Sequence, residues 1–183
     1  MVAPLAIDLA FDHIQIATSI YGWDHVPGGG HIDGYGIAGQ TEPYTFTVLA
    51  AIYLGDESKT GRGNLWVWPG SHLGHEKLFR ERGEEVLLSP ESQGGHACLL
   101  NEPPDFGPGK PVLARRGDVL LAHYLLAHNQ SGNMWNPLRQ IVYYRLTATG
   151  HRERWRATQT DALLEFEPVR AALHPSGRAV PDA

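Results

Sequence analysis

Two histidines and an aspartate, split across the chain, carry its most specific chemistry. His31-Ile32-Asp33 stands near the N-terminus, and His128 follows about a hundred residues later, with Arg139 eleven positions beyond it. Two imidazoles and one carboxylate are the protein ligands of a facial metal triad, which leaves coordination positions open in the manner of non-haem Fe(II) oxygenases. Arg139 adds a fixed guanidinium that could grip the distal carboxylate of a 2-oxo acid cosubstrate, with molecular oxygen taking the last open position.

The pair His31-x-Asp33 is weak evidence alone. With ten histidines in 183 residues, roughly one His-x-acid pair arises by chance, and a second one is present at His151-Arg152-Glu153. Context separates them. The first ends the glycine-rich run Pro27-Gly28-Gly29-Gly30, where extended backbone would send both side chains to one face. The second sits among charges and reads as a solvated surface.

The third ligand has to come from His72, His75, His96, His123 or His128, and Arg139 decides among them. A hairpin between residues 119–127 and 140–146, centred near Asn133-Met134, would make His128 and Arg139 cross-strand neighbours at about 5 Å. His123 is an odd number of residues away, so in a regular strand it points to the other face and reads as a hydrogen-bonded histidine of the core or surface. His72 could join His75 as a metal pair, but the segment reads more naturally as a structural corner whose polar side chains satisfy the loop backbone.

The elements that must hold these residues are short and mostly extended. Residues 12–20 alternate and are β-branched, residues 44–54 form a long apolar run, and residues 64–68, 111–114, 119–127 and 140–146 read as further strands. Residues 77–86 have helical character, and Thr160-Asp161 would cap a short helix running to Phe166. Residues 94–110, rich in Pro and Gly, read as a long loop, and residues 175–183 as a loose tail. This pattern predicts a mainly β domain with a few short helices, arranged as an antiparallel jelly roll. One domain is expected over residues 1–183, with its core at about 12–150 and a C-terminal segment at 151–174.

Composition removes several classes of function. The chain is 42% hydrophobic and 19% charged, with a formal net charge of -5, so it lacks the basic footprint of a nucleic-acid binder. Cys98 is its one cysteine, which excludes an intrachain disulfide and a Cys-rich zinc site. No apolar run reaches the roughly 18 residues of a membrane span, and residues 1–10 lack a signal-peptide pattern. A cytoplasmic protein acting on a small molecule is expected, with a homo-oligomer compatible with the short stretch before His31.

Four stretches carry a resemblance to a known family. His31-Ile32-Asp33, Gly63-Asn64-Leu65-Trp66-Val67-Trp68-Pro69-Gly70-Ser71-His72, Gly117-Asp118-Val119-Leu120-Leu121, and the run from His128 through Asn133 to Arg139 resemble, in order and spacing, those of the phytanoyl-CoA dioxygenase family. The resemblance covers roughly residues 12–146. It implies a double-stranded β-helix, the cupin-like form of the jelly roll, with Fe(II) at His31, Asp33 and His128 and 2-oxoglutarate held by Arg139. Because Asp33 stands where halogenating relatives carry a small residue, the resemblance implies hydroxylation or a related oxidation.

Other residues are candidates for supporting roles. Gln15 and Thr47 lie on strands flanking the His-x-Asp segment and could hydrogen-bond the cosubstrate carboxylates. Tyr35, Trp66 and Trp135 could reach substrate, Trp66 and its neighbour Trp68 being equally natural in a core. Specificity would reside in residues 22–30 and 94–110. Two other readings stay open: a non-catalytic metal-binding jelly-roll module for a small ligand, and a cupin-type isomerase using another divalent ion.

Overall fold

The computed structural model describes residues 13–33, 35–36, 43–83, 104–135 and 138–173. Among the described residues nine strands and three helices follow one another: β1 (His13–Ser19), β2 (Tyr35–Gly36), β3 (Pro43–Tyr44), β4 (Val48–Tyr53), β5 (Leu65–Val67), α1 (Ser71–Arg82), β6 (Lys110–Pro111), β7 (Val119–His123), β8 (His128–Gln130), β9 (Arg139–Leu146), α2 (His151–Thr160) and α3 (Glu167–Leu173).

Two antiparallel sheets face each other. The larger runs β1-β9-β4-β7 and the smaller β6-β5-β8, while β2 and β3 form a separate pair. An isolated bridge between His31 and His128 adds the segment around residue 31 beside β8. Along the chain, β1, residue 31, β4 and β5 therefore alternate between the sheets, and β6, β7, β8 and β9 alternate again. That winding is the double-stranded β-helix, the jelly roll expected from the punctuation of the sequence.

The alternation of β9 shows why the strand folds this way. Arg139, Ile141, Tyr143 and Arg145 are buried, while Gln140 between them is exposed. The inward face packs Ile141 and Tyr143 with Leu49, Ala51 and Tyr53 of β4 and with Phe46, Leu125 and Ile32. On the outward face of the larger sheet, Ile14 and Ile16 of β1 and Val119 and Leu121 of β7 are exposed.

Three expectations are corrected. Residues 119–127 and 140–146 do not form a hairpin: β7 pairs with β4, β8 with β5, and β9 with β1 and β4. The reason is a turn at 124–127, where Leu126 N–H donates to His123 O and the chain crosses to the other sheet. The first helix begins at Ser71, six residues before the expected start, and residues 84–86 of the expected span lie outside the described residues. Ser71, His75 and Phe79 form its buried stripe at four-residue intervals, and Gly83, at positive φ, ends it.

The third correction concerns the C-terminal segment. His151-Arg152-Glu153 opens α2, and Asp161 follows the last turn of that helix instead of starting a new one. The Asp161 carboxylate accepts the Leu163 N–H and pairs with Arg170, which sets the turn that leads into α3. His151 is buried because it faces the barrel, so the solvated reading holds for its neighbours and not for it. No described helix is long and apolar enough to cross a membrane.

Candidate metal centre

Gly30 lets the ligand segment reach its place. A Cβ on Gly30 would lie 2.6 Å from the buried Trp68 ring, so only glycine allows this close approach. The next residue then exchanges two backbone hydrogen bonds with β8, His31 N–H to His128 O and His128 N–H to His31 O, each 2.9 Å. The two rings come within 4.8 Å of each other. Asp33, two residues on in extended backbone, joins the same side.

The three side chains converge on one small volume. Asp33 Oδ1 is 3.7 Å from His31 Nε2 and 3.5 Å from His128 Nε2. One ligand atom from each residue fits within a 4.8 Å group, and this is the one such cluster among the described residues. His128 Nδ1 hydrogen-bonds Leu126 O at 3.0 Å, which turns Nε2 toward the cluster. The other Asp33 oxygen, Oδ2, accepts from Arg145 through Nε at 2.8 Å and Nη2 at 2.6 Å.

Protonation favours ligation at His31 and Asp33, while a metal at His128 would compete with a proton. Burial, then the neighbouring His128 charge, pushes the His31 imidazole down to about 4, so it is neutral near pH 7 with a lone pair to give. Burial works against Asp33 ionisation, yet hydrogen bonding and charge from His128, with the Arg145 and His31 charges, hold its carboxyl well below the usual range. Burial lowers His128 too, but the Asp33 carboxylate outweighs it and raises the imidazole above its ordinary value.

A cavity of about 250 Å³ opens beside the cluster, lined by Gln15, Asn129, Gln130, Tyr143 and Arg145 together with Ala17, Leu49 and Leu65. Both sheets contribute to it. Asn129 also donates to Gly29 O, tying the glycine-rich loop to the cavity wall. That loop is clamped further on: Gly132 N–H donates to His25 O and Gly22 N–H to Asn133 O.

The expected site residues fall into three groups. His31, Asp33, His128 and Gln15 come together at the cavity, although Gln15 spends its Oε1 on Arg145 Nη2 at 3.0 Å. Arg139 lies behind the cavity wall on the inward face of β9, its Nη2 donating to Tyr143 Oη at 3.1 Å and its Nε to Glu57 Oε1 at 3.3 Å. Its Nη1 is buried with no hydrogen-bond partner among the described residues. Because β8 and β9 belong to different sheets, Arg139 and His128 are not cross-strand neighbours.

The remaining candidates lie elsewhere. Thr47 Oγ1 donates to Glu165 Oε2 at 2.6 Å, away from the cavity. Trp66 alternates with cavity-lining Leu65 on β5 and so takes the other face. Trp135 stacks under the Arg62 guanidinium, 3.8 Å from its ring centroid. Tyr35 pairs with Tyr44 through the backbone, and its side chain lies outside what is described. His123 has both ring nitrogens on backbone groups, Ala162 O and Leu125 N–H, and His75 bonds Leu125 O. His96 and residues 94–103 of the long loop lie outside the described residues.

Sequence reasoning missed Arg145 and Tyr143. The signal was available: both share the period of two with Arg139 on an alternating strand, so an inward Arg139 places Tyr143 and Arg145 inward as well.

No family model matches this chain, and no curated protein matches it. Solved structures with a similar course of chain include the non-heme alpha ketoglutarate dependent carbocyclase SnoK from nogalamycin biosynthesis, at 21% identity and a TM-score of 0.48, over 83% of this chain and 57% of that one. EvdMO1 is similar at 19% identity and a TM-score of 0.47, over 79% of this chain and 28% of that one. HygX from Streptomyces hygroscopicus, solved with nickel, 2-oxoglutarate and hygromycin B bound, is similar at 20% identity and a TM-score of 0.44, over 80% of this chain and 58% of that one. The chain thus spans between 28% and 58% of the length of these three proteins. The fold assignment rests on the strand order itself.

Proposed function

We propose that this chain is an Fe(II)- and 2-oxoglutarate-dependent oxygenase of the kind its resemblance to the phytanoyl-CoA dioxygenase family implies, oxidising a small molecule. The observation that carries the reading is the cluster of two imidazoles and one carboxylate, whose ligand atoms fall within 4.8 Å at the edge of a cavity. The donor set fits the metal: nitrogen and carboxylate oxygen at one face suit iron, and two imidazoles with a single carboxylate leave positions for other ligands.

Two observations support a cosubstrate position beside the triad. Tyr143 lines the cavity and meets Arg139 with its hydroxyl, and the unpartnered Nη1 of Arg139 is a buried donor that lacks an acceptor. A dicarboxylate reaching from the triad past Tyr143 would satisfy it, an orphan guanidinium N–H being costly when left buried. When bound, iron and 2-oxoglutarate supply the oxidation: oxygen converts 2-oxoglutarate to succinate and CO2 with one of its atoms, and the other goes to the substrate.

The chain's own residues bind, orient and exclude water. His31 and His128 offer lone pairs, Asp33 Oδ1 offers charge, and Arg139 with Tyr143 orients the distal carboxylate. The amides of Gln15, Asn129 and Gln130 give the cavity a hydrogen-bonding lining, which favours a polar substrate over a purely hydrocarbon one.

Anaerobic addition of Fe(II) and then 2-oxoglutarate tests the reading. A visible metal-to-ligand charge-transfer band is expected, followed on admission of oxygen by succinate formation. His128→Ala should abolish iron loading, and Arg139→Ala should mainly weaken 2-oxoglutarate. Intact metal binding without the band would instead make the chain a metal-binding module, and wild-type turnover in both variants would remove the site assignment.

A further inference from the structure

The two oxygens of Asp33 have separate occupations. Oδ1 faces the imidazole nitrogens of His31 and His128, at 3.7 and 3.5 Å. Oδ2 receives two N–H groups of Arg145, Nε at 2.8 Å and Nη2 at 2.6 Å. Both residues are almost completely buried, Asp33 at 3% and Arg145 at 4% exposure, so water does not compete for these bonds.

Arg145 is itself held. Its Nη2 also donates to Gln15 Oε1 at 3.0 Å, and its backbone sits between β1 and β4, paired with His13 and Leu49. A carboxylate can serve a metal through one oxygen or through both. Turning Oδ2 toward the metal would break two charge-assisted hydrogen bonds and leave a buried guanidinium short of its acceptor, a cost well above that of an ordinary rotamer change.

We propose that Arg145 is a positioning residue that confines Asp33 to one-oxygen ligation through Oδ1, keeping a coordination position open for the incoming cosubstrate. The proposal rests on the reading of the cluster as an oxygenase metal site. Gln15, expected from its strand to touch the cosubstrate, becomes the brace of this arginine.

The arrangement has a signature that a merely structural role lacks. A fixed guanidinium beside the cluster repels a divalent cation, so it does not serve metal retention. Its loss should leave metal affinity the same or higher, because repulsion disappears and Asp33 can close on the metal with both oxygens. The same loss should weaken the cosubstrate, which then competes with Oδ2 for a position.

The test compares wild type, Arg145→Met and Arg145→Lys. Co(II) titration reads metal affinity, and the anaerobic charge-transfer band with Fe(II) reads 2-oxoglutarate affinity. For Arg145→Met the Co(II) Kd should be unchanged or lower, while the 2-oxoglutarate Kd rises about tenfold or more, tenfold corresponding to about 1.4 kcal/mol. Arg145→Lys keeps the charge with a different donor geometry and should fall between. An unchanged 2-oxoglutarate Kd, or equal weakening of metal and cosubstrate, overturns the proposal. If Arg145→Met does not fold, wild-type 2-oxoglutarate affinity in Arg145→Lys overturns it. If wild type itself gives no band, the oxygenase reading fails, and the Co(II) absorption spectrum then decides on Asp33: an identical spectrum in wild type and a folded arginine variant overturns the positioning role.

Discussion

Glu57 sits at 1% exposure against Arg139, with one carboxylate oxygen bonded and the other, Oε2, without a partner among the described residues. Burial pushes its carboxyl up to about 7 even though the Arg139 charge pulls the other way; Asp56, Tyr53 and Tyr143 are the other titratable groups around the pair. A folded-state value above the unfolded one means the folded protein binds more protons between roughly pH 4.5 and pH 7. Stability from this group is therefore complete below the unfolded value and is lost as pH rises through the folded one, by up to about 3 kcal/mol. Glu57→Gln should flatten the fall in denaturation midpoint between pH 5 and pH 7.5, and an unchanged slope would refute the assignment. At this scale the sequence was readable where chemistry is rare: His31, Asp33 and His128 were singled out by residue type and context, and the fold brings their side chains together. Arg145 and Glu57 escaped because a charged residue in a short strand looks like a surface residue until its face is known.

Two contacts between elements carry their own predictions. Gly132 lies under the loop of residues 22–30, where an added Cβ would meet Trp23 O at 2.0 Å and His25 N at 2.6 Å. Both are backbone atoms that cannot turn aside, so Gly132→Ala should displace the loop and cost about 1–3 kcal/mol, read in a denaturant titration. The second contact ties the C-terminal segment to the barrel: His151 bonds Thr45 Oγ1 at 2.8 Å and Glu165 Oε2 at 2.9 Å, and Thr47 donates to the same oxygen. Burial raises the Glu165 carboxyl, but these hydrogen bonds outweigh it and hold it below the ordinary value. A depressed carboxylate stabilises above its unfolded value and loses that contribution as pH falls through the folded one. Thr47→Val should cost about 1–2 kcal/mol at pH 7, and less in acid strong enough to protonate the acceptor. Strand positions were legible from alternation, whereas α2 was hidden: its run of charges at 151–156 masks a buried stripe of His151, Trp155, Thr158 and Gln159, of which only Trp155 is apolar.

Most strands of the described residues belong to one winding of two sheets, and the fold class followed from short β-branched segments and frequent turns. Which strand pairs with which did not, because a two-residue period says which face is buried and nothing about the neighbour across the sheet. The expected hairpin failed for that reason. Metal binding should register at this scale: a native-only ligand at 100 times its Kd adds about 2.7 kcal/mol, so Fe(II) or Co(II) should raise the melting temperature of wild type and leave Asp33→Ala unchanged.

The pairing of β1 with β9 sets Ser19 beside Arg139 and His13 beside Arg145. These partners are more than a hundred residues apart, and so nearly are His31 and His128, which means the His-Asp-His cluster exists only after a chain closure of about a hundred residues has occurred. Such closures are entropically slow, and refolding on the millisecond-to-second scale is expected. If the cluster is absent from the rate-limiting state, metal will leave the refolding rate unchanged and slow unfolding alone, a division that stopped-flow measurements with and without Co(II) can read.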